Sequence, residues 1–282
     1  MRGAAVLFFL AILAIAQDAR GEASHHQGAS PGQVAVLGID RLAAGHVAPS
    51  DWELRTFGSF LTASERLDAS ADRVPLTSGG SIQNYALNVY AERRFGGGWA
   101  ASVLVAGQAL HVDGAQTSDT VWSLSDSYAT ARYTLPVEGG ALTGLIAVKV
   151  PGTYPESEAT GAKQVDQETR LLFSLHELGT PSLSLLVGVG YKLRFGGIED
   201  EVLPTLVLPV RIAPAFTATA SLSGGIAIGG AGSVPKDSLT PGLTLSFAVT
   251  RSAELFASYY RTVYGHNVVD AHIATLGVAL GL

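Results

Sequence analysis

The sequence contains no cysteine. That absence excludes a disulfide framework and a lipidated N-terminal Cys. Charge is also scarce. Asp, Glu, Lys and Arg make up 15% of the chain, against about 25% in an ordinary soluble domain. Long apolar runs are missing too. The only one, residues 4–16, is shorter than the roughly twenty residues that a spanning helix needs. No later stretch of that length is free of polar side chains, so no transmembrane helix is expected after it. What charge exists is net acidic, at -6, and removal of Arg2 with a leader would make it -7. That balance argues against nucleic acid as a partner.

The N-terminal apolar run has the layout of a secretory signal. Arg2 supplies the positive start, and Ala14-Ile15-Ala16 gives a small-x-small site with cleavage before Gln17. Cleavage after Ala23 is the alternative. Residues 1–16 are therefore expected to be a signal peptide that directs export. The mean hydropathy is +0.29. Such apolarity without a membrane helix is explained by strands whose lipid-facing and lumen-facing residues alternate.

Period-2 alternation is the main pattern. Leu183, Leu185, Val187, Val189, Tyr191, Leu193 and Phe195 define one face, with Gly188, Gly190, Lys192 and Arg194 on the other. Tyr85, Leu87, Val89 and Ala91 alternate with Asn84, Asn88, Glu92 and Arg94. The same reading along the chain predicts twelve strands, near 52–63, 81–95, 98–111, 123–135, 141–150, 167–178, 182–195, 201–212, 216–228, 239–250, 253–264 and 272–282. Their connections alternate between short turns and longer segments, the longer ones at 64–80, 112–122, 151–166, 196–200, 229–238 and 265–271. Short turns on one side and long loops on the other are the mark of outer-membrane barrels. The expected fold is all-β, a transmembrane antiparallel up-and-down barrel over residues 52–282 with both termini periplasmic. Phe95, Trp99, Tyr133 and Phe216 fall beside short turns, facing outward, while Tyr85, Tyr191 and Phe195 face outward near the long loops.

Some segments resist the pattern. Pro204 and Pro209 lie inside one expected strand, where each removes a ladder donor, so a bulge or shortened pairing is expected there. Phe256, Tyr259, Tyr260 and Arg261 leave the register of 253–264 open. The chain ends in Leu282 rather than in an aromatic. Residues 17–51 precede the first strand and read as a periplasmic tail, an extra strand or a lumenal plug.

Lys149, Arg170, Lys192 and Arg194 fall on inward positions of three consecutive strands. Glu156, Glu158, Asp166, Glu168, Glu199, Asp200 and Glu201 crowd the adjoining segments. Two readings follow: a field across a narrow pore, or a network of pairs that neutralises lumen charge. Arg132, His176 and Arg211 are further inward candidates, opposed by small inward residues such as Ser221, Ser223, Gly225, Thr244 and Ser246. Twelve strands lie between barrels filled by side chains and open aqueous pores, so a restricted path is expected. His266, Asp270 and His272 are weak metal candidates, because their spacing matches no defined site. His111 with Asp113, and Ser174 with His176, are the pairs that a hydrolase would draw on. Neither sits in a recognisable motif, and no enzyme activity or cofactor is expected.

Two stretches resemble a known family. Residues 123–135 read SLSDSYATARYTL and residues 145–154 read LIAVKVPGTY. Together they resemble the outer-membrane barrel family named after the meta-pathway of phenol degradation, itself likened to hydrocarbon and fatty-acid uptake channels. Asp126, Tyr133 and Pro151 are the matching positions. The resemblance implies uptake of a hydrophobic or aromatic small molecule and an N-terminal plug.

The sequence thus leads to an outer-membrane channel for passive uptake of small solutes. A non-conducting structural or interaction barrel is the alternative, and an outer-membrane hydrolase the third. The expected partners are outer-membrane lipid, the barrel-assembly machinery and a small solute.

Overall fold

The computed structural model describes residues 51–76, 80–114, 118–154, 163–176, 178, 182–195, 199–228 and 237–282. The expected leader, residues 17–50, Glu156, Glu158 and the 179–181 turn lie outside them.

The described strands are, in chain order, Trp52–Ala63 (β1), Glu65–Leu67 (β2), Arg73–Pro75 (β3), Ser81–Arg94 (β4), Trp99–Asp113 (β5), Ser118–Leu124 (β6), Ser127–Val137 (β7), Gly140–Val150 (β8) and Asp166–Leu175 (β9). They continue with Leu185–Arg194 (β10), Asp200–Ala213 (β11), Phe216–Ile228 (β12), Ser238–Ala248 (β13), Ala253–Arg261 (β14), Tyr264–Gly265 (β15), Val268–Val269 (β16) and His272–Gly281 (β17). One sheet holds fourteen of these segments. Within it, β6 is an upward continuation of the β7 strand and β15 a two-residue extension beside β13, which leaves twelve long strands. Every pairing is antiparallel, and β1 pairs with β17, so the sheet closes on itself. Trp52 and Leu282 exchange backbone hydrogen bonds of 3.2 and 2.9 Å. The first strand therefore starts, and the last one ends, at the short-turn end.

The barrel carries its apolar residues outward. Leu87, Val105, Leu171, Val189, Leu243 and Leu276 all stand exposed on the outer face, as a transmembrane barrel requires. Aromatic rings gather at both ends of this band. At the short-turn end Trp99 and Tyr133 touch, with ring centres 5.0 Å apart, and the Arg93 guanidinium lies over Trp52 and Phe95. The turn between β4 and β5 uses Gly96, Gly97 and Gly98 at φ 75°, 57° and 86°, a region that side-chain-bearing residues rarely adopt.

Three departures from the expected strands have physical causes. The expected strand at 123–135 is broken, and the expected loop at 112–122 is largely strand, because β5 runs to Asp113 and β6 pairs with it. Gly107 faces Leu124 while Leu104 faces Tyr128, so Val105 and Ala106 oppose Ser125, Asp126 and Ser127. This one-residue bulge reverses side-chain alternation. Trp122 and Leu124 point out, whereas Thr130 and Arg132 further on point in. Second, the long connections at 64–80 and 265–271 contain β2, β3 and β16, which form a separate three-stranded cap at the long-loop end. Third, the proline strand β11 is continuous, but its ladders are interrupted as expected. Leu203 and Pro204 have no partners on β12. The ladder to β10 ends at Leu186 and Val207, leaving an isolated bridge from Leu183 to Val210. The register shift itself falls between Arg211 and Ala213.

The undecided strand β14 turns Glu254, Phe256, Ser258 and Tyr260 inward and leaves Leu255 and Tyr259 outside.

Candidate functional site: the charged and hydroxyl walls of the lumen

The inward faces of β8 to β11 carry one ionic network. Lys149 Nζ lies 2.9 Å from Asp166 and 3.5 Å from Asp126. Arg170 pairs with Glu168 on its own strand and donates to Thr205 Oγ1 at 2.6 Å, reaching past β10. Glu201 takes both Lys192, at 3.2 Å, and Arg194. Thus all four members of the basic stripe expected from sequence are inward, and each has a carboxylate. Four cations meet four carboxylates, Asp126, Asp166, Glu168 and Glu201. Arg170 is 2% exposed and Lys192 6%, so an unpaired charge there would carry a heavy desolvation cost.

A second network lies nearer the short turns. Glu53 receives Arg55 at 2.6 Å and Arg94 at 3.0 Å. Glu92 receives Arg94 at 3.1 Å and Arg132 at 2.5 Å. Arg132 reaches Glu92 across the intervening β5. Tyr90 donates its hydroxyl to Glu92 at 2.7 Å, and the Arg55 guanidinium stacks 5.1 Å from the Tyr90 ring centre. The basic stripe drew sequence reasoning toward the first network. The second was missed, although Glu53 and Arg55, like Glu92 and Arg94, show the i, i+2 spacing that puts two side chains on one strand face.

Two other candidates, His176 and Arg211, keep the inward alternation but sit exposed at the short-turn rim.

The rest of the wall is different. The sequences of β12 and β13 hold no charged residue at all. Their inward positions are Thr217, Thr219, Ser221, Ser223 and Gly225, then Thr240, Gly242, Thr244 and Ser246. Large side chains of neighbouring strands lie flat over inward glycines. A Cβ on Gly242 would meet the Tyr260 ring at 2.2 Å, and one on Gly190 the Arg170 stem at 2.7 Å. At mid-barrel an apolar cluster joins Phe57, Tyr90, Leu104, Leu145, Leu172, Leu186 and Val207.

The residues of the family resemblance separate into two places. The bulge turns Asp126 into the lumen mouth. There its Oδ1 accepts the Gly152 N–H at 3.3 Å and the Tyr154 hydroxyl. Thr153 and Leu124 exchange two further hydrogen bonds of 3.0 Å. A Cβ on Gly152 would stand 2.0 Å from the Leu124 carbonyl oxygen, so this close return needs glycine. Asp126 and the Pro151-Gly152 corner thus form one unit, while Tyr133 lies apart on the outer face.

The metal candidates take separate partners. His266 Nδ1 lies 3.2 Å from Asp237 and His272 Nδ1 2.7 Å from the Tyr259 hydroxyl. Asp270 accepts Arg73 Nε at 2.8 Å and Arg261 Nε and Nη2 at 3.3 and 3.1 Å. Burial raises the Asp270 carboxyl, but these arginines outweigh it and hold the group below the usual range. Of the hydrolase pairs, Ser174 Oγ donates to the Ala141 carbonyl at 3.3 Å, and His111 Nδ1 lies 2.9 Å from Thr120 Oγ1 on the outer face. Neither contact is one of the expected pairs, His111 with Asp113 or Ser174 with His176.

No family model and no curated protein matches the sequence. Solved structures do match. An outer-membrane channel from Pseudomonas putida F1 superposes with TM-score 0.70 at 11% identity, over 89% of this chain and 99% of that one. This chain has the fold of a twelve-stranded outer-membrane barrel. The translocator domain of the autotransporter NalP from Neisseria meningitidis gives 0.55 at 14% identity, over 89% and 95% of the two chains. The NanC porin gives 0.54 at 12%, over 81% and 100%.

Proposed function

We propose that the chain is a channel of the bacterial outer membrane through which small uncharged solutes pass passively, apolar or aromatic ones among them. The observation that carries this reading is the division of the lumen wall. Each cation of the basic stripe is neutralised by a carboxylate, so that half of the wall attracts neither sign strongly. The β12–β13 stretch of the wall offers hydroxyls, glycines and no charge. The Tyr260 ring and the Arg170 stem lie over Gly242 and Gly190 of the neighbouring strands. The resemblance to the phenol-pathway family agrees with an uncharged solute. In the cell, residues 1–16 would direct export, the barrel-assembly machinery would insert residues 52–282, and the short-turn end with both termini would face the periplasm. Residues 17–51 would remain as a periplasmic tail or a lumenal plug.

Swelling of proteoliposomes tests the passage. Vesicles holding the refolded chain should swell in isotonic glycerol several-fold faster than protein-free vesicles, and more slowly in a charged solute of similar size. Swelling at the protein-free rate in every solute would refute the channel. A closed structural barrel is the second reading. It is favoured by the ties between non-adjacent strands, Arg132 to Glu92 and Arg170 to Thr205, which brace the wall from within.

A further inference from the structure

A row of uncharged polar side chains, interrupted only at Ala86 among the described residues, runs around half of the inner wall. On β13, β14 and β17, Thr244 faces Ser258 and Ser258 faces Thr275. The row continues through Ser59 of β1 and Ala86 of β4 to Gln108 of β5 and Ser123 of β6. These residues lie on consecutive rungs of the ladder, so the row is a property of the register and no local sequence stretch shows it. Two hydrogen bonds run along it: Thr244 Oγ1 donates to Ser258 Oγ at 2.9 Å, and Gln108 Nε2 to Ser123 Oγ at 3.1 Å.

The rows on either side are apolar and aromatic. On the turn side lie Phe256 and Phe57, whose ring centres are 6.0 Å apart over Gly277. On the loop side lie Tyr260, Ile273 and Leu61. Two amides complete the surroundings. Asn84 and Asn88 stand on β4 on either side of Ala86. Asn88 Nδ2 donates to Ser59 Oγ at 3.1 Å and Asn84 Nδ2 to Gln108 Oε1 at 3.0 Å. Asn84 Oδ1 is buried and has no donor among the described residues. A buried acceptor left unsatisfied is costly, so it is a place where a ligand hydroxyl gains a bond that the protein does not make for itself.

We infer that this row is a track for uncharged ring compounds bearing several hydroxyl groups, an inference that rests on the channel reading above. Their hydroxyls exchange hydrogen bonds with the serine, threonine and amide groups. Their ring faces pack on Phe256, the partly exposed ring beside Phe57. The track favours these solutes over two other classes that enter the lumen. An ion would be stripped of water beside groups that carry no countercharge. A wholly apolar solute would leave the row and Asn84 Oδ1 without partners.

Xylose is the probe. The full chain is inserted in planar bilayers, and its ion current is titrated with xylose, gluconate and cyclohexanol. Xylose should block the current saturably. In a chain carrying Asn84→Ala, Ser258→Ala and Thr275→Val, the half-blocking concentration should rise at least tenfold. Block is measured relative to each chain's own open current, and heat-modifiable migration on gels confirms that each barrel is folded. The track is overturned if xylose does not block the conducting wild-type chain, if the triple variant is blocked equally well, or if gluconate blocks as strongly. Cyclohexanol block in both chains without xylose block assigns the lumen to apolar solutes instead. Absence of any current refutes the channel reading itself, a result distinct from the others.

Discussion

At position 277 two phenylalanines occupy the space that a side chain would need. A Cβ there would lie 2.4 Å from Phe57 Cβ, 2.7 Å from Phe256 Cζ and 2.8 Å from the Thr56 carbonyl oxygen. The last neighbour is backbone and cannot turn aside. Gly277→Ala should therefore destabilise the barrel by about 1–3 kcal/mol through overpacking, read as a lower urea midpoint for unfolding from phospholipid vesicles. An unchanged midpoint would mean that the two rings do not pack over this glycine. Sequence alone marked residues of this kind only in part. The alternation at 183–195 put Lys192 and Arg194 on the inner face, because strand period fixes the side of each residue. It did not name their partner. Glu201 meets both only because β10 and β11 pair at Lys192 and Glu201, and register is a relation between strands.

Among the elements, the cap of β2, β3 and β16 shows how a long connection can be held at the barrel mouth. Leu67, Leu76 and Val269 are buried, the latter two among inward side chains such as Leu61, Ile82, Leu110 and Tyr260. Arg73 of β3 and Arg261 of β14 both bind Asp270, which joins the cap to the barrel. The Asp270 carboxyl is held below its ordinary value, so its contribution is present above the unfolded pKa and is lost as pH falls through the folded one. With an unfolded value of about 3.9, the cap should stay equally protected from pH 7 to pH 5 and loosen only below about pH 4. Hydrogen exchange of the amides at 65–75, corrected for intrinsic rates, measures this. Asp270→Asn should show the loosened state already at pH 7. Loosening between pH 7 and 5 in the wild-type chain would assign the control to another group. Neither the cap nor the bulge at Ser125–Asp126 was legible beforehand. The cap strands are two or three residues long, too short for a period to show. The bulge adds one residue, and so it hid β6 inside an expected loop and put residues 123–135 in a single phase.

For the whole molecule, the number of strands and the closure were readable because outward apolar residues recur strand after strand and the connections alternate in length. Pro204 and Pro209 also read correctly, as an interruption of ladders rather than the end of a strand. The path through the lumen was less legible. It depends on which inward residues share a rung, and on large side chains that lie along the wall over Gly190, Gly242 and Gly277. The barrel's lumen charges are paired in two networks, and the wall at β12 and β13 is uncharged. Single-channel recording of the full chain, refolded into planar bilayers with a tenfold salt gradient, tests that pairing most directly. It should give discrete conductance steps with a reversal potential close to zero, the sign of a pore that prefers neither ion. A strongly selective reversal potential would contradict the neutralised wall, and a silent membrane containing folded barrel would contradict the channel.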